Sequence, residues 1–437
     1  MASTVAVRAA PAVGTAPARD RGLRAGWAVL ALYLFFPLWW VLGLGQFIWP
    51  LLAVPMLFAL LMRRRIAMPR GFGIWIAFLA WMAISGLQLD TADRAVGFAY
   101  RAAIYLSATV VLLYVFNTGE DELPTRRVVN VLALFWLFVV VGGFLGIAFP
   151  EFNFTTPVEA VLPRWLAANG FVYEMVHPGF AQVHDFLGYP VPRPAAPFVY
   201  TNDWGSNFGI LLPFVVVSFA RTRSDLWRLV LIVAGIASLV PIVVSLDRGL
   251  WLSVGVGLLY AMLRLGAAGR GRVFGAVALL LPISIGIIWL SPLQQLIADR
   301  FANPHSNERR IDLYQESVEG VSRSPLFGFG APRPSSLSST APSVGTQGQF
   351  WLVLFSHGFP GILLFLAWFV WTWWRTRGTD PPDAFLAHEV LLVAFIQMPF
   401  YGWLPVQVHT LMIASAIGWR ALDARANEDE GVVGMPA

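Results

Sequence analysis

Apolar residues in this chain fall in long runs bounded by charge, not in short alternating patches. Predominantly apolar stretches lie near residues 26–44, 46–62, 72–88, 98–116, 128–149, 204–219, 229–246, 250–264, 273–290, 349–374, 385–403 and 406–422. A membrane-crossing helix needs about 20 such residues, so the pattern predicts about twelve transmembrane helices and leaves little chain for a separate soluble domain. The expected fold class is all-α, a polytopic integral membrane protein. The first run follows an Ala/Pro-rich segment with Arg8, Arg19, Arg21 and Arg24, which is similar to the basic end of a signal sequence. It continues through Phe36-Pro37-Leu38-Trp39-Trp40 with no small-residue cleavage site, so it is expected to remain as a helix. Residues 1–22 and 426–437 are expected to be disordered cytoplasmic ends flanking a single transmembrane domain over 23–425.

Composition agrees with this pattern. Of 437 residues 57% are hydrophobic and 13% charged, with a mean hydropathy of +0.65, which excludes a soluble domain of this size. Cysteine is absent, so disulfides, thiolate metal sites, iron-sulfur clusters and cysteine nucleophiles are excluded. All 30 basic residues are arginine, a lysine-free composition that suggests a GC-rich bacterial genome. The pI of about 9.8 does not imply a nucleic-acid partner, because the arginines gather at helix ends. With a cytoplasmic N-terminus, 20 arginines fall on cytoplasmic connections and ten outside, the bias that the positive-inside rule requires. The ten outer arginines are Arg94, Arg101, Arg164, Arg193, Arg248, Arg300, Arg309, Arg310, Arg323 and Arg333. They work against insertion and so call for a functional reason.

Two outer loops are long, near 150–203 and 291–348, whereas the cytoplasmic connections are short. The first is rich in proline and aromatics and reads as an ordered cap hugging the membrane. The second contains a charged stretch, Asn307 to Ser317, in which Ile311, Tyr314 and Val318 recur at helical spacing. That spacing predicts an amphipathic helix at the interface.

Sharp catalytic motifs are missing. The six histidines show no HExxH or equivalent spacing, so no metal site is expected. No phosphate-binding glycine loop, dinucleotide fingerprint or nucleophile elbow occurs, and no cofactor is expected. The candidates that remain are the outer arginines. Arg248, in Ser245-Leu246-Asp247-Arg248-Gly249, lies between two apolar runs so close together that its guanidinium must sit at the membrane boundary. Burial there is costly unless an anion meets it. Arg309 and Arg310 lie on the interfacial helix, and Arg101 starts the fourth run. Guanidinium forks bind phosphate oxygens in pairs, so the cluster suggests a lipid diphosphate. The structural alternative pairs Arg248 with Asp247 or a carbonyl. Trp165 and Trp204 are the tryptophans placed to stack on sugar rings. His357, His409 and Gln397 read more simply as hydrogen-bonded groups inside a helix bundle.

Several pieces in order carry a family resemblance: Thr201-Asn202 before a run, Ser-x-x-Arg-Gly at Ser245 to Gly249, Arg309/Arg310, Ser324-Pro325-Leu326-Phe327-Gly328-Phe329-Gly330, and Gly345 to Gly361 entering a run. Over roughly 95–375 the chain resembles the O-antigen ligase and O-antigen polymerase family. The resemblance implies a C-type membrane glycosyltransferase fold. It implies transfer of a glycan, without metal or nucleotide sugar, from a polyprenyl diphosphate carrier to a glycolipid or glycan acceptor hydroxyl on the outer face of the bacterial cytoplasmic membrane. It also makes Arg248 and Arg310 the catalytic holders of the diphosphate, with Arg101, Arg309, Asn202 and Asp247 as substrate-binding residues. The family's ligases carry a histidine, then Asn, Ser or Gln, nine residues, and Gly-x-x-Gly. Counting back from Gly358-Phe359-Pro360-Gly361 puts Gln347 at the histidine position. Glutamine can orient an acceptor but cannot act as a base near neutral pH. His357, about 15 Å further along a helix, is no simple substitute, and Asp203, Asp247, Glu151, Asp312 and His305 are possible bases on the same side. Readings from other classes are a transporter or flippase for an anionic or lipid-linked sugar, and a non-catalytic glycolipid-binding subunit.

Overall fold

The computed structural model describes residues 25–184, 189–269, 285–286, 288–302, 305–338 and 342–433. The expected N-terminal segment 1–22 and most of the apolar run at 273–290 lie outside the described residues. The described chain is mostly helical, as the apolar pattern requires. In order it forms α1 (Trp27–Leu34), α2 (Phe36–Leu42), α3 (Ile48–Leu61), α4 (Phe72–Ser85), α5 (Ala92–Asn117) and α6 (Thr125–Ala148). A connecting segment follows with α7 (Pro157–Val161), α8 (Arg164–Ala167), α9 (Gly170–Val176) and two strands, β1 (Ala181–His184) and β2 (Val191–Pro194). Then come α10 (Thr201–Arg221), α11 (Asp225–Ala237), α12 (Leu239–Val244), α13 (Arg248–Ala267), α14 (Leu293–Ala302), α15 (His305–Arg323), α16 (Gln349–Arg375), α17 (Pro382–Gln397) and α18 (Val406–Val433). The last helix runs to Val433, well into the tail for which no structure was expected.

Among the described residues six helical stretches are long and apolar enough to cross a membrane: 92–117, 125–148, 201–221, 225–244, 248–267 and 349–375. Shorter apolar helices cover 48–61 and 72–88. Two expected continuous runs are broken. The run at 26–44 divides at Phe35 because Pro37 lacks an N–H and its ring crowds the preceding turn. The run at 229–246 divides at Ser238, three residues before Pro241.

The helices enclose one apolar core. α10 packs on α6 and α17, α18 on α5 and α17, and α16 on α4. An aromatic lattice fills the centre, with Phe78 edge-on to Tyr105 at 5.4 Å and to Phe365 at 5.1 Å, and Phe365 tilted against Trp403 at 5.7 Å. Such pairs add about 0.5–1.5 kcal/mol each beyond simple burial. In the segment expected as a cap, β1 and β2 pair antiparallel, and small residues on α6 admit its backbone closely. A Cβ on Gly146 would stand 2.5 Å from the Phe180 carbonyl oxygen, and one on Gly142 would stand 2.1 Å from that of Ala196. Glycines are therefore required on this face of α6.

α16 kinks at Gly358, whose backbone (φ 68°, ψ −171°) is accessible essentially to glycine alone. The kink frees carbonyls one turn earlier, and the Ser324–Gly330 loop takes them up. Phe329 N–H donates to Phe355 O (3.0 Å), Gly330 N–H to Ser356 O (2.7 Å), and Phe359 N–H returns a bond to Pro325 O (2.8 Å). Arg94 of α5 clamps the next stretch, donating to the carbonyls of Phe329, Ala331 and Pro332.

Gly358→Ala puts a Cβ 2.4 Å from the Leu326 carbonyl oxygen in a conformation that costs about 1–3 kcal/mol by itself. Thermal unfolding in detergent is expected to show a clear drop in Tm for this variant, whereas Gly73→Ala, where a Cβ would meet nothing within 4 Å, leaves Tm within a degree or two.

Candidate functional site

The site is built on the turn between α12 and α13. Leu246, buried and with φ 53°, is the one non-glycine residue in the left-handed region among the described residues. Holding a branched side chain there costs about 1–3 kcal/mol and persists only where neighbours fix it. Two arginines from elsewhere provide the fixing. Arg193 of β2 donates through Nε to Ser245 O and through Nη2 to Asp247 Oδ1 (2.8 Å). Arg300 of α14 reaches Leu246 O at 3.5 Å. Arg193 and Asp247 are each 4% exposed, so this is a buried ion pair.

Asp247 therefore pairs with Arg193, not with its neighbour Arg248. Its Oδ2 has no hydrogen-bond partner among the described residues. It packs on the backbone of Gly205, where a Cβ would approach to 2.3 Å. Burial pushes the Asp247 carboxyl above the usual carboxylate range, opposed by the guanidinium charges of Arg193 and Arg310. Burial also lowers Arg300 to about 10, helped by repulsion from Arg248, Arg193 and Arg310. Arg300 nevertheless stays charged at neutral pH. These effects put Arg193, Arg300 and Arg310 within electrostatic reach of Asp247, and Arg248, next to it in the chain, within reach of Arg300 and Arg310.

Arg248 opens α13, half-buried, and Arg310 comes from α15. The packing stripe of α15 differs from the expected one. Ile311 and Val318 are 50% and 55% exposed, while Leu313, Ser317 and Val321 are buried. The inward face runs 310, 314, 317 and 321, a spacing of one helical stripe, and it carries Arg310 beside Tyr314. Tyr314 stacks on Trp351 at 4.4 Å, and both donate to the Pro399 carbonyl at 3.2 Å. The Arg309 side chain lies outside the described residues, as does that of His305.

Gln347 stands just before α16, half-buried, with its amide 3.4 Å from Thr346 Oγ1. Its helix is docked on the turn after α17: Gln349 N–H donates to Tyr401 O (2.8 Å), Trp403 N–H to Gln349 Oε1 (3.1 Å), and Gln349 Nε2 to Tyr105 OH (2.7 Å). Tyr401 also accepts from Leu250 N–H through its hydroxyl (3.0 Å), two residues past Arg248. Arg101, on α5, has its guanidinium 5.6 Å from the centre of the Phe171 ring in the cap. Asn202 and Asp203 occupy the first turn of α10, both half-buried.

The structure thus brings Arg248, Arg310 and Asp247 within electrostatic reach and sets Gln347 two residues before the Gln349 that docks on Tyr401, while Arg101 stands against Phe171 of the cap. Sequence reading did not single out Arg193, Arg300 or Tyr401 for this site; for the two arginines the signal was their position on the outer side without a topological reason. Trp204, expected as a stacking platform, is sealed in the core with Nε1 on Val139 O (2.8 Å), whereas Trp165 is exposed. His357 is held by Ser85 Oγ at 2.6 Å, and His409 by Ser107 Oγ and Pro405 O. Gln397 bridges Ser206 and Ser253. All three are interhelical links. Among the described residues no group of three or more His, Asp or Glu could hold a metal ion.

Residues 233–366 match the family model described as O-antigen ligase. The match supports the O-antigen ligase family. It takes in Asp247, Arg248, Arg300, Arg310, Gln347 and the Gly358 kink, and stops short of Arg101, Arg193, Asn202 and Asp203. No curated protein matches the chain. With the apolar helices, the match supports a multi-pass bacterial inner-membrane protein and a glycan-transferring enzyme of polysaccharide biosynthesis.

Removing one partner of a buried pair strands the other charge, at about 3–5 kcal/mol. Arg193→Ala is expected to lower Tm in detergent sharply, and the double variant Arg193→Ala/Asp247→Asn to recover much of the loss. An additive double variant would rule out the pair as the fixing contact.

Proposed function

We propose that the protein transfers a glycan from a polyprenyl diphosphate carrier to a hydroxyl of a glycolipid or glycan acceptor at the outer face of the membrane. The observation that carries this reading is the convergence of Arg248 and Arg310, from two distant parts of the chain, on the Asp247 turn beside Arg193 and Arg300. Four guanidiniums around one carboxylate complement a dianion. Guanidinium forks suit the two phosphates, and the O-antigen ligase match spans the turn and both of the proposed ligands.

In this reading the chain has about twelve spans in a single transmembrane domain over 23–425, C-type glycosyltransferase-like, with both ends cytoplasmic. The segments near 150–203 and 291–348 are then extracytoplasmic, and the exposed Ile311 and Val318 of α15 face lipid at the interface. Arg248 and Arg310 hold the diphosphate, and Asp247 is orientated by Arg193 so that it balances part of the cluster's charge. Arg309, Arg101 and Asn202 are assigned to the remainder of the substrate. As the bond from the anomeric carbon to the phosphate oxygen breaks, charge develops on the diphosphate, and preorganised cations there favour the transition state over the bound donor. Gln347 orients the acceptor hydroxyl through its amide. No metal or cofactor takes part, and inversion at the anomeric carbon follows from direct attack.

The test is transfer of radiolabelled glycan from native polyprenyl-diphosphate carrier in proteoliposomes holding the purified protein, a crude glycolipid acceptor fraction and a chelator. Wild-type protein is expected to release polyprenyl diphosphate in an acceptor-dependent manner. Arg248→Ala and Arg310→Ala should each lose about 10²–10³-fold in rate, the typical cost of removing one preorganised donor. Carrier that binds without turnover, or crosses the bilayer intact, would replace this reading with a binder or a flippase. Gln347→Ala is expected to raise the acceptor KM while leaving retention of the labelled carrier unchanged.

A further inference from the structure

A transferase needs a group to take the acceptor's proton, and Gln347 cannot be that group. We propose that Asp203 is the catalytic base. This rests on the transferase reading above and adds the residue on which the proton goes.

The geometry turns on the segment from Tyr401 to Gln407. At one end the Tyr401 hydroxyl meets Leu250 N–H beside Arg248, and its carbonyl meets Gln349 N–H, two residues past Gln347. At the other end Gln407 Nε2 donates to Asp203 Oδ1 at 3.4 Å. The diphosphate cluster, the proposed acceptor entrance and Asp203 therefore border one short segment. Asp203 also lies within electrostatic range of Asp247, and Gly205, two residues on, packs directly against the Asp247 carboxylate.

Asp203 is half-buried, and its carboxyl is hydrogen-bonded by Gln407 and by the Tyr200 backbone; a carboxylate has about four lone-pair sites on its two oxygens, so acceptor capacity is left for a substrate hydroxyl. The charged and titratable groups facing it are Tyr200 on its own segment, Tyr100 and then Arg101 on α5, and Asp247 on the turn before α13. The other carboxylates on this side are less suitable. Asp247 is sealed in its ion pair with Arg193, and Asp312 is exposed on α15 away from the stripe that bears Arg310. Glu151 is exposed on the cap.

In the step, the acceptor O–H proton passes to the Asp203 carboxylate while the acceptor oxygen forms a bond to the anomeric carbon. The anomeric carbon–phosphate oxygen bond breaks, and its electron pair leaves with the polyprenyl diphosphate onto Arg248 and Arg310. The products are the glycosylated acceptor, the diphosphate and a protonated Asp203 that returns its proton to water.

The proteoliposome assay with the native radiolabelled carrier pool tests this through Asp203→Asn and Asp203→Glu. Asp203→Asn is nearly isosteric and keeps a bond to Gln407. It should cut kcat by about 10²–10⁴-fold with unchanged Tm and unchanged retention of labelled carrier. Asp203→Glu should retain part of the rate. In wild type, kcat should fall as the pH drops through the carboxyl's titration, and this acid limb should vanish from the residual Asp203→Asn activity. An Asp203→Asn enzyme with wild-type turnover and its acid limb intact overturns the proposal, as does a loss of turnover that tracks lost carrier retention or lost Tm. Wild-type protein without transfer removes the transferase reading and the base with it. Transfer that depends on Arg248 but not on Asp203 removes the base alone.

Discussion

The ion pair between Arg193 and Asp247 is the contact on which the rest of the site depends. It joins a strand of the cap to a turn between two apolar helices, across 54 residues of chain. Without it Leu246 would have little reason to stay in a left-handed conformation, and Asp247 would be an uncompensated charge in a dry interior. A buried pair of this kind is poor value as stabilisation, because desolvating two ions consumes most of what their attraction returns. Its use here is positional. It fixes where α13 begins, and therefore where Arg248 stands.

A second consequence concerns the cap. β2 carries Arg193, and β2 can reach the turn only because Gly142 and Gly146 leave room on α6 for the cap's backbone. The cap is thus part of the site's frame and cannot be described as a passive cover. The other long segment behaves alike. α15 delivers Arg310 because its Leu313–Ser317–Val321 face is buried and the loop behind it is bonded into the Gly358 kink. Both arginines of the proposed diphosphate site are therefore set by backbone close approaches some distance away.

How much of this was legible beforehand differs from element to element. The apolar runs marked the helices well, since burial of backbone polar groups in lipid allows few alternatives. Breaks at Phe35 and Ser238 were harder to read, although prolines stood near both. Arg248 was legible because two adjoining runs trapped a cation at the boundary. Arg193 was not, because it lies in a proline-rich loop and its partner is distant in sequence; no local pattern encodes such a pair. On α15 the helix was legible but its orientation was not. Ile311, Tyr314 and Val318 suggested one apolar face, whereas the packed face is offset and contains a serine, since apolar residues at helical spacing do not by themselves say which face meets the rest of the protein.

The histidines show how location decides chemistry. His357 stands on the same helix as Gln347 and could seem a displaced base. Yet Ser85 Oγ donates to Met82 O at 2.6 Å, so the 2.6 Å contact with His357 Nδ1 has the ring nitrogen as donor. The His357 carbonyl is taken by Trp81 Nε1 at 3.0 Å, one residue before the kink at Gly358. The residue is consumed in holding α16 to α4 where the helix is weakest. A helix that must bend at Gly358 to receive the Ser324–Gly330 loop needs such a brace, and the ring, 3% exposed and edge-on to Phe78 at 6.0 Å, is enclosed between the helices that it joins. The proposed proton transfer is therefore assigned to a different helix, to the carboxyl of Asp203, which is less deeply buried.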